Sequence, residues 1–149
     1  MYFKILESLS RKIILDYTPE YDYLLYALIS FEKDYKLIWD INNSLGMDFI
    51  RTEDFSSFNR KINSEQLFSC FEYRDENSYL KYRVISNKSE NGPLLDELKR
   101  IDYLVMITGD FQEDFSSDFL TILKKIKSIQ NVFSIDPQNL KSRDRLVLD

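Results

Sequence analysis

Residues 97–110 read Glu-Leu-Lys-Arg-Ile-Asp-Tyr-Leu-Val-Met-Ile-Thr-Gly-Asp, and this stretch decides the fold. Its residues 103–107 are apolar at consecutive positions. Successive side chains of a β-strand point to opposite faces, so a strand that is apolar throughout is covered on both faces. The pattern therefore predicts an inner strand of a sheet at residues 103–107, ended by Gly109.

A second apolar run, at residues 23–31, predicts another inner strand beside the first. The helix that follows is predicted to begin at Asp34 as its N-cap and to run to about Leu45, with Gly46 as a left-handed C-cap. Leu37, Ile38, Ile41 and Leu45 recur at helical spacing and form its buried stripe. Trp39 lies off the centre of this stripe. It either covers the edge of the stripe or is exposed to bind a partner.

A second helix is predicted from Asp110 onward. Asp110 and Glu113 have the spacing of a capping box, in which two side chains satisfy the first backbone N–H groups. Apolar residues then follow at steps of four and three, which is the spacing of one helix face. These residues are Phe115, Phe119, Ile122, Ile126 and Ile129.

The remaining segments are predicted from alternation and from turn residues. Short strands are expected at residues 11–17, 48–55 and 132–135, and an antiparallel hairpin near a sheet edge at 67–73 and 79–85. Residues 56–65 are polar and predict a surface loop. An irregular crossover at residues 87–93 leads to one or two helical turns at 94–100.

This order of elements predicts one α+β domain over residues 1–149. The sheet is expected to be mostly antiparallel, with the two main helices packed on one face, as in a ferredoxin-like or related sandwich with additions. The other face would be covered by the N-terminal segment, by the tail or by a second copy of the chain.

The composition narrows the classes of partner. A formal charge of −5 argues against a nucleic-acid or anionic-membrane binder, which needs a basic excess. The single cysteine, Cys70, excludes an internal disulfide and predicts a cytoplasmic protein. Because Cys70 lies among apolar residues, we expect a buried, unreactive thiol.

The chain contains no histidine and three glycines. This excludes imidazole-based catalysis, the common zinc sites with histidine ligands, and glycine-rich nucleotide loops. The single cysteine excludes thiolate zinc and iron–sulfur sites as well. Carboxylates remain, but those near residues 97 and 110 are expected to cap helices or face solvent. The sequence therefore predicts no catalytic residues, no metal site and no cofactor. A carboxylate-based, metal-dependent activity stays open as the lesser hypothesis.

The tail carries Lys141, Arg143 and Arg145 at alternate positions, which is typical of an edge strand with one charged face. We interpret these side chains either as solvated charge or as a small basic patch that faces a partner.

Residues 95–103, Leu-Asp-Glu-Leu-Lys-Arg-Ile-Asp-Tyr, resemble the signature of the IPExxxVDY family of bacterial proteins. Glu97, Asp102 and Tyr103 match it, and Leu95 and Ile101 are mild apolar changes. Asp96 replaces the proline of the signature, which frees a backbone N–H. The resemblance implies a Bacteroidetes-type bacterial cytoplasmic protein and supplies no reaction. Residues Glu97, Asp102 and Tyr103 would form either an entry turn that sets strand register or the rim of an interaction site.

Two hypotheses about function follow. The favoured one is a non-enzymatic protein-interaction or regulatory module that binds a protein partner or forms a homodimer. The alternative is a small-ligand sensor with the topology of ACT-type domains. Such domains usually bind amino acids in a glycine-containing loop, and this chain is poor in glycine, so the resemblance is one of topology only.

Overall fold

The computed structural model describes residues 23–146. Two helices alternate with strands: α1 spans Asp34–Leu45 and α2 spans Phe115–Lys124. The predicted strand at residues 11–17 lies outside the described part of the chain. The strands are β1 Tyr23–Ile29, β2 Ile50–Arg51, β3 Phe55–Asn59, β4 Ser64–Phe68, β5 Cys70–Arg74, β6 Lys81–Ser86, β7 Lys88–Ser89, β8 Gly92–Pro93, β9 Tyr103–Thr108 and β10 Asn131–Ile135.

One six-stranded sheet organises the described residues, in the order β10-β1-β9-β6-β5-β2. Every neighbouring pair is antiparallel. β1 pairs with β9 from Tyr23 opposite Thr108 to Leu28 opposite Tyr103, which confirms the two predicted inner strands side by side. The strands β10, β1, β9 and β6 follow the order of a ferredoxin-like sheet, and β5 and β2 extend it. The predicted α+β class with a mostly antiparallel sheet is confirmed.

Both helices pack on the same face of this sheet. Strand alternation turns Tyr26, Val105 and Ile107 toward that face, where they join a single core cluster with Leu37 and Phe119. The rings of Tyr26 and Phe119 meet edge to face, with centroids 5.5 Å apart. The prediction that two helices cover one face is therefore confirmed.

The opposite face is covered by three segments of the same chain. Leu25, Ala27, Cys70, Ile85, Leu104 and Met106 of the sheet pack there. The tail contributes Leu140 and Leu146, which confirms one of the three predicted ways of covering this face. The other covering residues come from β3, β4 and the 94–101 segment: Phe55, Phe68, Leu94, Leu95 and Ile101.

The predicted surface loop at residues 56–65 is wrong, because β3 and β4 form a hairpin there. The inward side chains of the hairpin include Ser57, Asn59 and Gln66, which are polar and yet buried. Their polarity hid the alternation that normally reveals a strand, since that alternation is read from apolar residues.

The hairpin of β5 and β6 is confirmed and lies between β9 and the edge strand β2. The face of this hairpin that carries Lys81 and Arg83 is less exposed to solvent than the alternation predicted. Arg83 donates to the Glu72 carboxylate at 3.0 Å, and Lys81 lies 3.5 Å from the same group. These cross-strand pairs keep all three side chains half-buried.

The structure confirms α1 but shifts its start. Gly46 adopts the left-handed conformation, with φ of 64°, and its N–H bonds to Asn42. The N-cap residue is Lys33 and not Asp34. Asp34 is the first helical residue, and its carboxylate accepts from the N–H of Tyr35 at 2.6 Å.

The predicted capping box of α2 is wrong. The helix begins at Phe115, with Asp114 at the N-cap, so Asp110 and Glu113 lie in the preceding loop. The helix also ends early, at Lys124, since the chain must turn to enter β10. The backbone tightens into three-residue turns beyond Lys124, and these keep Ile126 and Ile129 in the core. The helical spacing of apolar residues therefore continues to Ile129, although the helix itself ends at Lys124.

Candidate interaction sites

Asp102 and Tyr103 hold the connection between β1 and α1. The Asp102 carboxylate accepts the N–H of Ser30 at 3.0 Å and the ammonium of Lys88 at 2.7 Å. The Tyr103 hydroxyl donates to the carbonyl of Glu32 at 2.7 Å, and burial raises the pKa of Tyr103 to about 12. Both side chains therefore fix the backbone between β1 and α1, a contact that neither the entry-turn nor the rim interpretation predicted.

Glu97 makes a different connection. It lies on a 3₁₀ turn, Asp96–Leu98, and its carboxylate accepts from the N–H groups of Lys141 and Ser142 and from the Ser142 hydroxyl. Burial raises the pKa of Glu97, but these hydrogen bonds outweigh it and hold the pKa below its ordinary value. Asp102 and Tyr103 thus hold the β1–α1 connection, while Glu97 holds the tail. The three residues do not form a single rim.

Sequence reasoning missed Asn87, a buried residue whose side chain bonds to the backbone of the 94–101 segment. Its side-chain amide donates to the carbonyls of Leu98 at 2.8 Å and Ile101 at 3.0 Å. Its side-chain oxygen accepts the N–H of Leu95 at 3.0 Å. Both N–H donors and the oxygen of the side chain are used, so Asn87 shapes a segment that has almost no regular structure. Nothing in the local sequence marks it.

The prediction that Arg145 faces a partner is wrong, because its side chain points inward. The guanidinium donates to the Ser57 hydroxyl at 3.1 Å, to the carbonyls of Pro93 at 3.1 Å and Leu94 at 2.8 Å, and to the Gln66 side chain. Burial lowers the pKa of Arg145. The guanidinium joins β3, β4 and the start of the 94–101 segment.

The predicted edge strand in the tail is also wrong. Residues Arg143–Leu146 form a 3₁₀ turn, so alternate residues no longer share a face. Arg143 is half-buried and donates to the carbonyl of Leu140 at 2.7 Å. Lys141 is exposed, as predicted. The three basic side chains therefore do not form one patch.

An open groove of about 840 Å³ is lined by β3 and the tail. Its third wall is the 3₁₀ turn that carries Glu97. The lining side chains are polar or charged except for Phe58, which is 48% exposed. We call this the tail groove; its lining residues include Phe58, Arg60, Lys61, Asp96, Glu97, Lys99, Lys141, Ser142, Asp144 and Arg145.

A second cavity, of about 530 Å³, lies beside the loop that precedes α2. It is lined by five carboxylates: Asp75, Asp110, Glu113, Asp114 and Asp118. Within residues 23–146, no three or more Asp, Glu or Cys side chains are grouped so that they could hold a metal ion.

Trp39 lies on the outward side of α1 and is 60% exposed, so little of the ring covers the edge of the apolar stripe. Tyr35, one turn earlier, is 66% exposed, and Phe31, just before the helix, is 85% exposed. The Lys36 ammonium lies 4.9 Å from the centre of the Trp39 ring. We call Phe31, Tyr35 and Trp39 the aromatic face.

Cys70 is buried, and burial raises the pKa of its thiol, as expected of an unreactive cysteine. None of the helices in the described residues is long and apolar enough to cross a membrane. Comparison of the chain with family models, curated proteins and solved structures gives no match. The relation to the IPExxxVDY family, drawn from residues 95–103, therefore stays a prediction.

Proposed function

We propose that this chain is a non-enzymatic interaction module that binds another protein through its aromatic face. The observation that carries the proposal is the exposure of Phe31, Tyr35 and Trp39, three large rings close together in the chain. At such exposures they present roughly 400 Å² of aromatic surface. Exposed apolar area of that size is often functional on a monomeric protein.

The aromatic face is mounted on a rigid support. The other side of α1 is anchored in the core through Leu37, Ile38 and Ile41. Phe31 is held at its backbone, since its N–H donates to the side chain of Gln130 at 3.1 Å. Binding here would order little backbone, which lowers the entropic cost of association.

The chemistry of the face fits a protein with an apolar pocket. Trp and Tyr are the residue types that contribute most to protein–protein binding when they enter such pockets. Lys36 and Asp40 pair with each other at 2.9 Å beside Trp39, so the surroundings carry no strong charge of one sign. Nucleic acid and anionic lipid would require a basic surface.

The area favours a different protein over a second copy. Two aromatic faces pressed together would bury roughly 800 Å² in total, which is less than the roughly 1,200 Å² of stable complexes. A partner that encloses the rings in a pocket would bury more of each ring than a flat pairing can.

Photo-crosslinking tests the proposal. A benzophenone amino acid at position 35 is compared with the same amino acid at Tyr79, which is 86% exposed in the turn before β6. In cells of the source organism we expect one protein to crosslink at position 35 and not at 79. Binding of that purified protein should weaken at least tenfold, about 1.4 kcal/mol, in Tyr35→Ala and in Trp39→Ala.

Three outcomes would contradict this function. Equal crosslinking at positions 35 and 79 would show that the face has no specific partner. Unchanged affinity in both alanine variants would place the interface elsewhere. Crosslinking of the chain to itself would show that the partner is a second copy of the chain and not a different protein.

A further inference from the structure

We propose that the tail groove binds an extended acidic segment of a partner protein. The groove lies on the face of the sheet opposite α1, because β3, the 94–101 segment and the tail all pack there. It is therefore a second surface, and the inference does not depend on the aromatic face.

Two of the three carboxylates of the groove already have partners within the chain. Glu97 accepts three hydrogen bonds from the tail. Asp96 pairs with Lys61 at 3.2 Å. Asp144 is the third lining carboxylate and is exposed. Two of the three carboxylates are thus already engaged within the chain, Glu97 by hydrogen bonds and Asp96 by a cation.

The cations of the groove are left available. Arg60, Lys99 and Lys141 are exposed, and within residues 23–146 none of the three forms an ion pair. They line the groove from three different segments of the chain. The groove lining contains five cationic residues and three carboxylates, so it carries an excess of positive charge on a protein whose formal charge is −5. Its electrostatic complement is an acidic ligand.

The distribution of these cations favours a peptide over a small anion. Arg60 lies in the β3–β4 turn, Lys99 follows the 3₁₀ turn and Lys141 lies in the tail, so the charges are spread along the walls. Phe58 adds an exposed apolar contact in the same groove. An extended acidic segment with one apolar side chain can meet all four residues. The acidity of the whole chain disfavours a nucleic acid.

The walls are preformed. Arg145 links Ser57 of β3 to Gln66 of β4 and to the carbonyls of Pro93 and Leu94. Glu97 links the 3₁₀ turn to the tail. A groove that is already held in shape loses little conformational entropy when it binds a ligand.

Fluorescence polarisation tests the inference on the full chain. The probe is a short labelled peptide of Glu and Asp with one central Phe, and its control has Lys in place of every acidic residue. We expect saturable binding of the acidic probe only, and weaker binding as salt is added. The variant Arg60→Glu/Lys99→Glu/Lys141→Glu should bind the probe at least about tenfold more weakly.

A matched variant controls for total charge. Lys124→Glu/Lys125→Glu/Lys127→Glu makes the same change of formal charge at the C-terminal end of α2, which packs on the other face of the sheet. We expect it to bind the probe as the unmodified chain does. Circular dichroism and thermal melting confirm that both triple variants are folded.

The inference is overturned if the acidic probe does not bind saturably, or if both triple variants lose binding equally. It is also overturned if a single-stranded oligonucleotide binds more tightly than the probe and depends on the same three cations. Phe58→Ala separates the apolar contact: a loss of affinity supports a peptide, while unchanged affinity points to a purely ionic ligand and contradicts the proposed segment.

Discussion

Glu97 accepts hydrogen bonds from both the backbone N–H and the hydroxyl of Ser142, which lies 45 residues further along the chain. One carboxylate thereby joins the 3₁₀ turn to the tail. Both of these segments cover the helix-free face of the sheet. The contact therefore contributes to the covering of that face and to the shape of the tail groove.

Glu97→Ala should loosen the tail. We expect a loss of about 1 kcal/mol in the free energy of unfolding, since the hydrogen bonds are charged but partly exposed. Hydrogen exchange at residues 140–146 should accelerate more than exchange in β9. Glu90→Ala, a change of the same type in the exposed turn between β7 and β8, is the control and should alter neither measurement.

The same contact predicts a dependence on acid. The pKa of Glu97 is lower in the folded chain than its ordinary value of 4.5, so its stabilising contribution is present above that value. It is lost as the pH falls through the lower, folded pKa. Urea unfolding from neutral pH to acid should show this loss in the unmodified chain and a smaller one in Glu97→Gln. Parallel curves for the two proteins would contradict the assignment.

Arg145→Ala should destabilise the chain by about 2–4 kcal/mol, because it leaves buried acceptors of Gln66, Pro93 and Leu94 without their donor. Arg145→Lys should recover only part of this loss, since one ammonium cannot span the acceptors that the guanidinium reaches. Chemical denaturation measures both. Lys127→Ala, on the exposed turn after α2, should cost less than about 0.5 kcal/mol.

Asn87→Asp should be among the most damaging single-atom changes in the chain. The carboxylate cannot donate to Leu98 and Ile101, whose carbonyls would face it in a buried site. We expect a loss of at least about 3 kcal/mol at neutral pH. Asn91→Asp, at an exposed turn, makes the same chemical change and should be nearly neutral. Equal effects in denaturant would refute the role of Asn87.

Alkaline pH should destabilise the fold through two buried tyrosines. Burial raises the pKa of Tyr82 and of Tyr103 to about 12, above the ordinary value of 10.0. Their neutral forms stabilise the fold fully below pH 10, and this contribution is lost as the pH rises toward 12. Tyr103→Phe should cost about 1 kcal/mol at neutral pH through the lost bond to Glu32.

The difference between the unmodified chain and Tyr103→Phe should then shrink between pH 10 and 12, because the phenylalanine variant has no hydroxyl to ionise. Denaturation at a series of pH values measures this convergence. Tyr79→Phe changes an exposed ring and serves as the control. A constant difference across the whole range would show that Tyr103 does not contribute to the alkaline transition.

Much of the fold could be predicted because its signals are local. The apolar runs at residues 23–31 and 103–107, the stripe of α1 and the glycine after it follow directly from side-chain periodicity and backbone conformation. Predictions failed where periodicity continued without the element, as at Ile126 and Ile129. The candidate surfaces were predicted less well: Trp39 and Lys141 are exposed, while Arg145 is turned inward.

The sequence by itself determined the class of the fold, the two inner strands and the lack of histidine chemistry, since these depend on residue type and on near neighbours. Only the tertiary structure decided how the second face of the sheet is covered. Buried and half-buried polar side chains there depend on partners far along the chain, as Gln66 does on Asn91 and Arg145 does on Ser57. A polar residue becomes a stable part of a core only when such a partner reaches it. A local sequence pattern carries no information about such long-range contacts. The tail groove depends on them and therefore could not be predicted from the sequence.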